Sequence, residues 1–196
     1  MALLGSTGRT GKHALAAALD HGHDVTVLVR DPAKLPAPVA ARIRVIVGDT
    51  SDTDALRSLL ASADVVISAL GSTGDQQHLH TRTAGTLVQI MTTNGPKRFV
   101  GISCSHVNRL GDQKRLRHKM TSALARAFGG DAAADRSGEV PIWSFRKLNW
   151  TLVRPQSLSD AESVKSNETV SGPLQRSPPV IERQVSVPGN RPWALP

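Results

Sequence analysis

The residues best equipped for chemistry stand at the very start of the chain: Gly5-Ser6-Thr7-Gly8-Arg9-Thr10-Gly11-Lys12-His13. Glycine recurs at every third position, directly after the apolar run Ala2-Leu3-Leu4 and ahead of a helix-like segment from His13 to Leu19. That order brings bare backbone up to a phosphate, because glycines permit a tight bend and a close approach, and the helix offers unpaired N–H groups and its positive end to an anion. Two nucleotide sites use such letters. A Walker loop needs Gly, four residues, then Gly-Lys-Ser/Thr. With Gly11-Lys12 as the later pair, Ser6 falls where the first glycine belongs and His13 where the hydroxyl belongs, which disfavours an ATP or GTP loop. A dinucleotide turn needs glycines for bend, approach and helix packing, with a deciding residue about 20 positions on. The next apolar run, Val25 to Val29, ends in Arg30-Asp31. A carboxylate at that strand end grips the ribose hydroxyl of NAD, whereas an arginine suits the 2′-phosphate of NADP. Arg30 takes the position, so NADP is expected and NAD is the second choice. The same letters could close a turn that binds nothing; the strand–turn–helix setting and Arg30 weigh for the dinucleotide.

Other reactive side chains are sparse. Ser103, Cys104 and Ser105 follow the apolar run Arg98 to Ile102 and are candidate catalytic residues, able to hydrogen-bond a substrate carbonyl or a nicotinamide amide. Cys104 as a nucleophile lacks an identifiable activating base. As the single cysteine it cannot form an internal disulfide, which points to a reducing, cytoplasmic setting. His-x-His occurs as His21/His23 and His78/His80, but a metal needs three or four convergent ligands, so none is expected. Asp52 and Asp54 read as helix-start residues. The formal net charge is +8, and its densest cluster is Lys114 to Lys119. Aromatic residues are too few, at 3% with no Tyr, to build a base-stacking platform, which disfavours a nucleic-acid partner. A basic pocket for an anionic dinucleotide with a small-molecule substrate accounts for the charge. No apolar run approaches a membrane span, and the N-terminus leads straight into the glycine turn, so neither a membrane segment nor a leader peptide is expected.

These residues need elements to position them. The 196 residues suit one ordinary domain. Leu3-Leu4 reads as a truncated first strand, and apolar runs at 25–29, 43–47, 64–70, 98–102 and 149–153 read as the strands that follow. Residues 10–21, 53–62, 76–93 and 113–128 read as helices, Ala33 to Pro38 as loop, and 132–148 as a polar stretch interrupted by Pro141. Such alternation gives an α/β fold, a doubly wound Rossmann-type parallel sheet flanked by helices, because parallel strands need crossover connections. Ligands of such sheets lie across the carboxyl ends of the strands at the switch in strand order. The residues just past each strand therefore form the site: Gly5, Ser6, Thr7, Gly8, Arg9, Thr10 and Gly11, then Arg30, Asp49 and Thr50, then Ala69, Leu70 and Gly71, then Ser103 to Ser105. Residues 1–158 are expected to form the dinucleotide-binding domain. Residues 159–196, rich in Ser, Pro and charge, are expected to be a divergent, poorly ordered segment of it, with one short strand near 179–187.

Taken together, the segments resemble the atypical short-chain dehydrogenase/reductases, and within them the NAD(P)H-binding group that contains NmrA-like proteins and the biliverdin-IXβ/flavin reductases. Gly5 to Gly11 resembles that group's GATGxTG turn. Gly22 to Pro32 resembles GHxVTVLVRDP, Val47 to Thr50 the VxGDxxD element, Asp64 to Gly71 DVVISALG, and Asn149 to Pro155 DWTLVRP. The resemblance runs over roughly 1–155. It implies NADP held by the glycine turn and Arg30, with Asp49 and Thr50 near the adenine. Ala69, Leu70 and Gly71 would pass beneath the cofactor, the end of the fifth strand would lie beside the nicotinamide, and Pro155 would complete the cofactor-binding set. Proteins of this kind reduce small planar acceptors such as flavins or quinones by hydride transfer, or only sense NADP and dock to a protein partner. The chain departs from the pattern in places. The Tyr-x-x-x-Lys pair of the main short-chain branch is impossible without Tyr. Cys104 stands where the group's reductases tend to carry serine, and Ser157 where they carry histidine. Residues 178–196 do not reproduce the usual closing segment.

Overall fold

The computed structural model describes residues 1–71, 78–103, 130–144, 148–153, 158–159 and 185–186. Six short strands, β1 (Ala2–Leu4), β2 (Thr26–Val29), β3 (Arg44–Val47), β4 (Val65–Ser68), β5 (Arg98–Ile102) and β6 (Asn149–Val153), form one sheet in the order β3-β2-β1-β4-β5-β6, with every pair parallel. The order reverses between β1 and β4, which opens a crevice at their carboxyl ends. This is the doubly wound Rossmann-type sheet that the alternating apolar runs predict.

Strand alternation sorts the apolar residues onto two faces. Leu3, Val27 and Val29 join Leu15, Ala18 and Leu19 of α1 (Arg9–Asp20) in one core, closed by Val39 of the single-turn helix α2 (Ala37–Ala40). Ala2, Leu4, Leu28, Val66 and Phe99 face the other way. There they meet α3 (Thr53–Leu60), α4 (Leu79–Thr93) and Trp143 of α5 (Gly130–Ser144). Residues i and i+3 or i+4 line each helix's inner face: Leu56, Leu59 and Leu60 in α3; Ala84, Leu87, Val88 and Met91 in α4. At Gly101 a Cβ would stand 2.7 Å from the Phe99 ring, so bare backbone lets that ring lie flat, and Trp143 stacks on it with centroids 3.8 Å apart.

The structure differs from the sequence reading in two places. Ala33 to Pro38, read as loop, overlap a 3-10 turn (Pro32–Lys34) and α2; Asp31 caps the turn, accepting from Ala33 N at 3.0 Å. The polar stretch 132–148 contains most of α5, which continues through the exposed Pro141 because its inward stripe is anchored at Asp135, Glu139 and Trp143. Leu158–Ser159 and Val185–Ser186 form a separate two-stranded parallel pair, the latter inside the stretch expected to hold a short strand. The basic segment 113–128 and most of 159–196 lie outside the described residues. Among the described residues no helix is long and apolar enough to cross a membrane.

Candidate functional site

The glycine turn leaves β1 in a conformation only glycine takes easily. Gly5 has φ +74°, and a Cβ there would stand 2.6 Å from Ala69 O. Gly8 N donates to Gly5 O at 3.0 Å, which closes the bend, and Lys12 N to Gly8 O at 3.0 Å starts the helix. At Gly11 a Cβ would fall 1.8 Å from Gly5 O, so α1 can approach the turn only with glycine there. The three glycines thus do three jobs: turn, opening and close packing.

What caps each helix start decides where an anion can go. Each helix following a strand of this sheet begins at the carboxyl edge, where its positive end faces the crevice. At α3, Asp52 accepts from Asp54 N and Ala55 N at 2.9 and 3.0 Å. At α4, Asp135 reaches across from α5 and accepts from His80 N at 2.7 Å and Thr81 N at 2.9 Å, and from the Thr81 hydroxyl. At α1 the cap position is Gly8, with no side-chain cap and no acidic residue in the first turn. Beside it the Ser6 hydroxyl is fully buried and has no hydrogen-bond partner. Of these three helix starts, α1 alone carries no carboxylate. The turn therefore fits a diphosphate by the space its glycines leave and by the unmatched Ser6 oxygen.

The flanking residues take their places along the same edge. Arg30 follows β2 directly and is exposed. Its neighbour Asp31 is engaged in capping the 3-10 turn, so Arg30 is the charge left at the strand end. Asp49 and Thr50 follow β3, and Asp49 Oδ1 accepts from Ser51 N at 2.9 Å, which shapes the turn into α3. Ala69 N donates to Leu4 O at 2.9 Å, holding the start of Ala69-Leu70-Gly71 beside the glycine turn. Ser103 follows β5, is 4% exposed and has an unpartnered hydroxyl. From β3 to β5 is four strand steps of roughly 4.8 Å each. The sheet thus assembles Gly5 to Gly11, Arg30, Asp49, Thr50, Ala69, Leu70, Gly71 and Ser103 on one edge. Cys104, Ser105 and Pro155 lie outside the described residues.

Sequence reasoning missed the polar stripe of α5. Arg136 Nη2 donates to Leu70 O at 2.7 Å and its Nη1 to Ile102 O, at the ends of β4 and β5. Glu139 is buried beneath, accepting from Trp143 Nε1 at 3.1 Å, while its second oxygen has no partner. Burial pushes its carboxyl up to about 7, against the pull of the Trp143 N–H and the Arg136 charge. Burial, then Arg136, holds the His80 imidazole down to about 4. Burial also pushes the Asp135 carboxyl up, but its hydrogen bonds from Thr81 and His80 N outweigh this and leave it below the ordinary value. Glu139 and His80 line a cavity of about 10 Å³ with Ser68 and Thr83. The spacing 135, 136, 139, 143 is helical, and that was the available signal. His78 and His80 do not converge: His78 is exposed and starts α4 at φ 59°, whereas His80 is buried.

Comparison with known proteins bears on this geometry. Residues 5–186 match the family profile described as NAD(P)H-binding. The uncharacterized protein YwnB of Bacillus subtilis (strain 168) is 21% identical over 170 residues, 87% of this chain and 78% of YwnB. Among solved structures, ChuY, an anaerobillin reductase from Escherichia coli O157:H7, aligns with a TM-score of 0.67 at 18% identity, covering 93% of this chain and 84% of that one. A short-chain dehydrogenase/reductase from Veillonella parvula DSM 2008 in complex with NADP aligns with a TM-score of 0.63 at 18% identity, covering 81% and 70%. At such identities the structural likeness speaks for the fold.

Proposed function

The chain belongs to the NAD(P)H-binding family, and from that premise we propose that it is an NADP-dependent oxidoreductase of the atypical short-chain type, acting in the cytoplasm on a small planar acceptor such as a flavin or quinone. The observation that carries the reading is the α1 start: a glycine-built opening, without a capping side chain or carboxylate, at the switch point of the sheet. Gly5 to Gly11 hold the diphosphate on backbone N–H groups, and Arg30 pairs with the 2′-phosphate. Asp49 and Thr50 border the adenine. Ala69, Leu70, Gly71 and Pro155 line the path of the cofactor. Ser103, with Cys104 and Ser105, orients the carboxamide or the acceptor carbonyl. The bound cofactor supplies the hydride, so the protein's task is to position and to exclude water. A reductase neighbour and a neighbour solved with NADP accord with this reading.

Titration of the purified protein with NADPH and NADH by calorimetry tests the binding, with NADPH expected to bind more tightly. NADPH consumption across a panel of flavins and quinones tests the chemistry. Binding of neither cofactor refutes the proposal. Binding without turnover favours a second reading, an NADP sensor that docks to a protein partner, which the absence of any Tyr makes worth testing.

A further inference from the structure

We propose that Arg136 is a positioning residue for the nicotinamide end of the site, acting through the backbone of Leu70 and Ile102. At the carboxyl edge of a parallel sheet the last carbonyls run out of strand partners and project toward the crevice. Two such carbonyls, on the neighbouring strand ends of β4 and β5, are taken up by one guanidinium reaching over from α5. The residues that follow them are Gly71 and Ser103, both in the proposed cofactor set. A planar fork donating to two carbonyls sets the separation and tilt of both segments at once, which neither a lysine nor a water reproduces. The guanidinium is itself held: α5 is fixed one residue earlier by Asp135 on the N-terminus of α4, and Gly138 lets α5 approach closely, since a Cβ there would meet Thr81 Oγ1 at 3.1 Å. α4, α5 and the ends of β4 and β5 are thus tied at adjacent points. The glycine turn meets the tied segment at one point, where Gly5 packs on the backbone of Ala69 and Leu70, and Arg30 stands one strand further off, past β2. Arg136 therefore governs the nicotinamide half of the site more than the adenosine-diphosphate half. The inference rests on the proposal that the crevice binds NADP.

The test compares two ligands on the full chain: NADPH, and 2′-phospho-ADP-ribose, which lacks the nicotinamide. For Arg136→Gln, NADPH affinity is expected to fall roughly tenfold, the size of one lost interaction of about 1.4 kcal/mol, while affinity for the fragment changes far less. Arg136→Lys keeps the charge and part of the donation, and is expected to lie between Arg136→Gln and the unmodified protein. Asp52→Ala, which uncaps α3 away from this tie, serves as the control for lost stability. It should lower the melting temperature and leave the ratio of the two affinities unaltered. Equal losses for both ligands, no loss for either, or the same shift in ratio with Asp52→Ala would each overturn the role of Arg136. If the unmodified protein binds neither ligand, the NADP reading itself fails, a result distinct from all of these.

Discussion

Replacing Glu139 by Gln should make the protein more stable at neutral pH and no more stable in acid. Glu139 is 6% exposed. One oxygen takes the Trp143 N–H and the other has no partner, and the residue borders a cavity of about 10 Å³, at the lower limit for a single water. Its carboxyl is pushed from 4.5 up to about 7 in the folded protein. The folded state therefore holds a proton that the unfolded chain releases. The stability tied to that proton is fully present below pH 4.5 and is lost as pH rises through about 7. At 1.36 kcal/mol per pH unit the loss amounts to about 3 kcal/mol. Gln keeps the shape and the acceptor for Trp143 and has no proton to lose. The difference in unfolding free energy between Glu139→Gln and the unmodified protein should start near zero at about pH 4.5 and grow to about 3 kcal/mol above neutrality. His80 works in the opposite sense. Its imidazole is held down from 6.5 to about 4, so its contribution is present above pH 6.5 and is lost as pH falls toward 4. Being common to both proteins, it cancels in the difference. In the Glu139→Gln protein alone it stands uncovered as a steeper loss in acid. Urea unfolding at a series of pH values measures both curves. A difference that is independent of pH, or that shrinks as pH rises, would refute the reasoning about Glu139.

Gly11→Ala puts a Cβ on Gly5 O and should cost about 3 kcal/mol or more, whereas Gly8→Ala meets only Gly5 O at 3.2 Å and should cost about 1 kcal/mol; thermal unfolding of the pair separates them. Arg30→Asp should weaken NADPH binding tenfold or more while NADH binding holds, and equal losses in a calorimetric titration would remove Arg30 from the 2′-phosphate. Asp52→Ala removes the cap of α3 and should destabilise by about 1 kcal/mol in urea, with cofactor affinity unaffected because that helix start belongs to the turn past Asp49.

The strands and the glycine turn are legible because their signals are local. Arg98 to Ile102 and Asn149 to Val153 can be bounded to the residue, being apolar runs closed by Ser103 and by Arg154-Pro155. The glycines are legible because each is demanded by its neighbours on the chain: Gly11 must be bare for Gly5, six residues earlier. Arg30 is legible as the residue that ends an apolar run. The short turn and helix at residues 32–40 are harder to see, because Pro32, Pro36 and Pro38 read as loop letters although proline is welcome in a first helical turn.

The polar stripe of α5 is illegible for a different reason. A helix carrying Asp135, Arg136 and Glu139 reads as a solvated face, since sequence periodicity assigns inward positions to apolar residues. Here two carboxyl groups face inward beside Arg136, and the partners of Asp135 and Arg136 lie 54 to 66 residues away: the bare N–H groups at His80 and Thr81 and the carbonyl of Leu70. Asp135 and Arg136 each answer backbone groups that α4 or the sheet leaves unmatched at the carboxyl edge, whereas Glu139 takes the Trp143 N–H of its own helix. An apolar stripe would bury as much surface, but it would leave those N–H and C=O groups without partners, at about 1–3 kcal/mol each. It would also let α5 slide, because apolar contact is indifferent to a small shift along the helix axis, whereas Asp135 on two N–H groups and Arg136 on two carbonyls accept a single seating. The residues that read as surface are therefore those that fix the register of α5, and through it the spacing of the two strand ends beside Gly71 and Ser103.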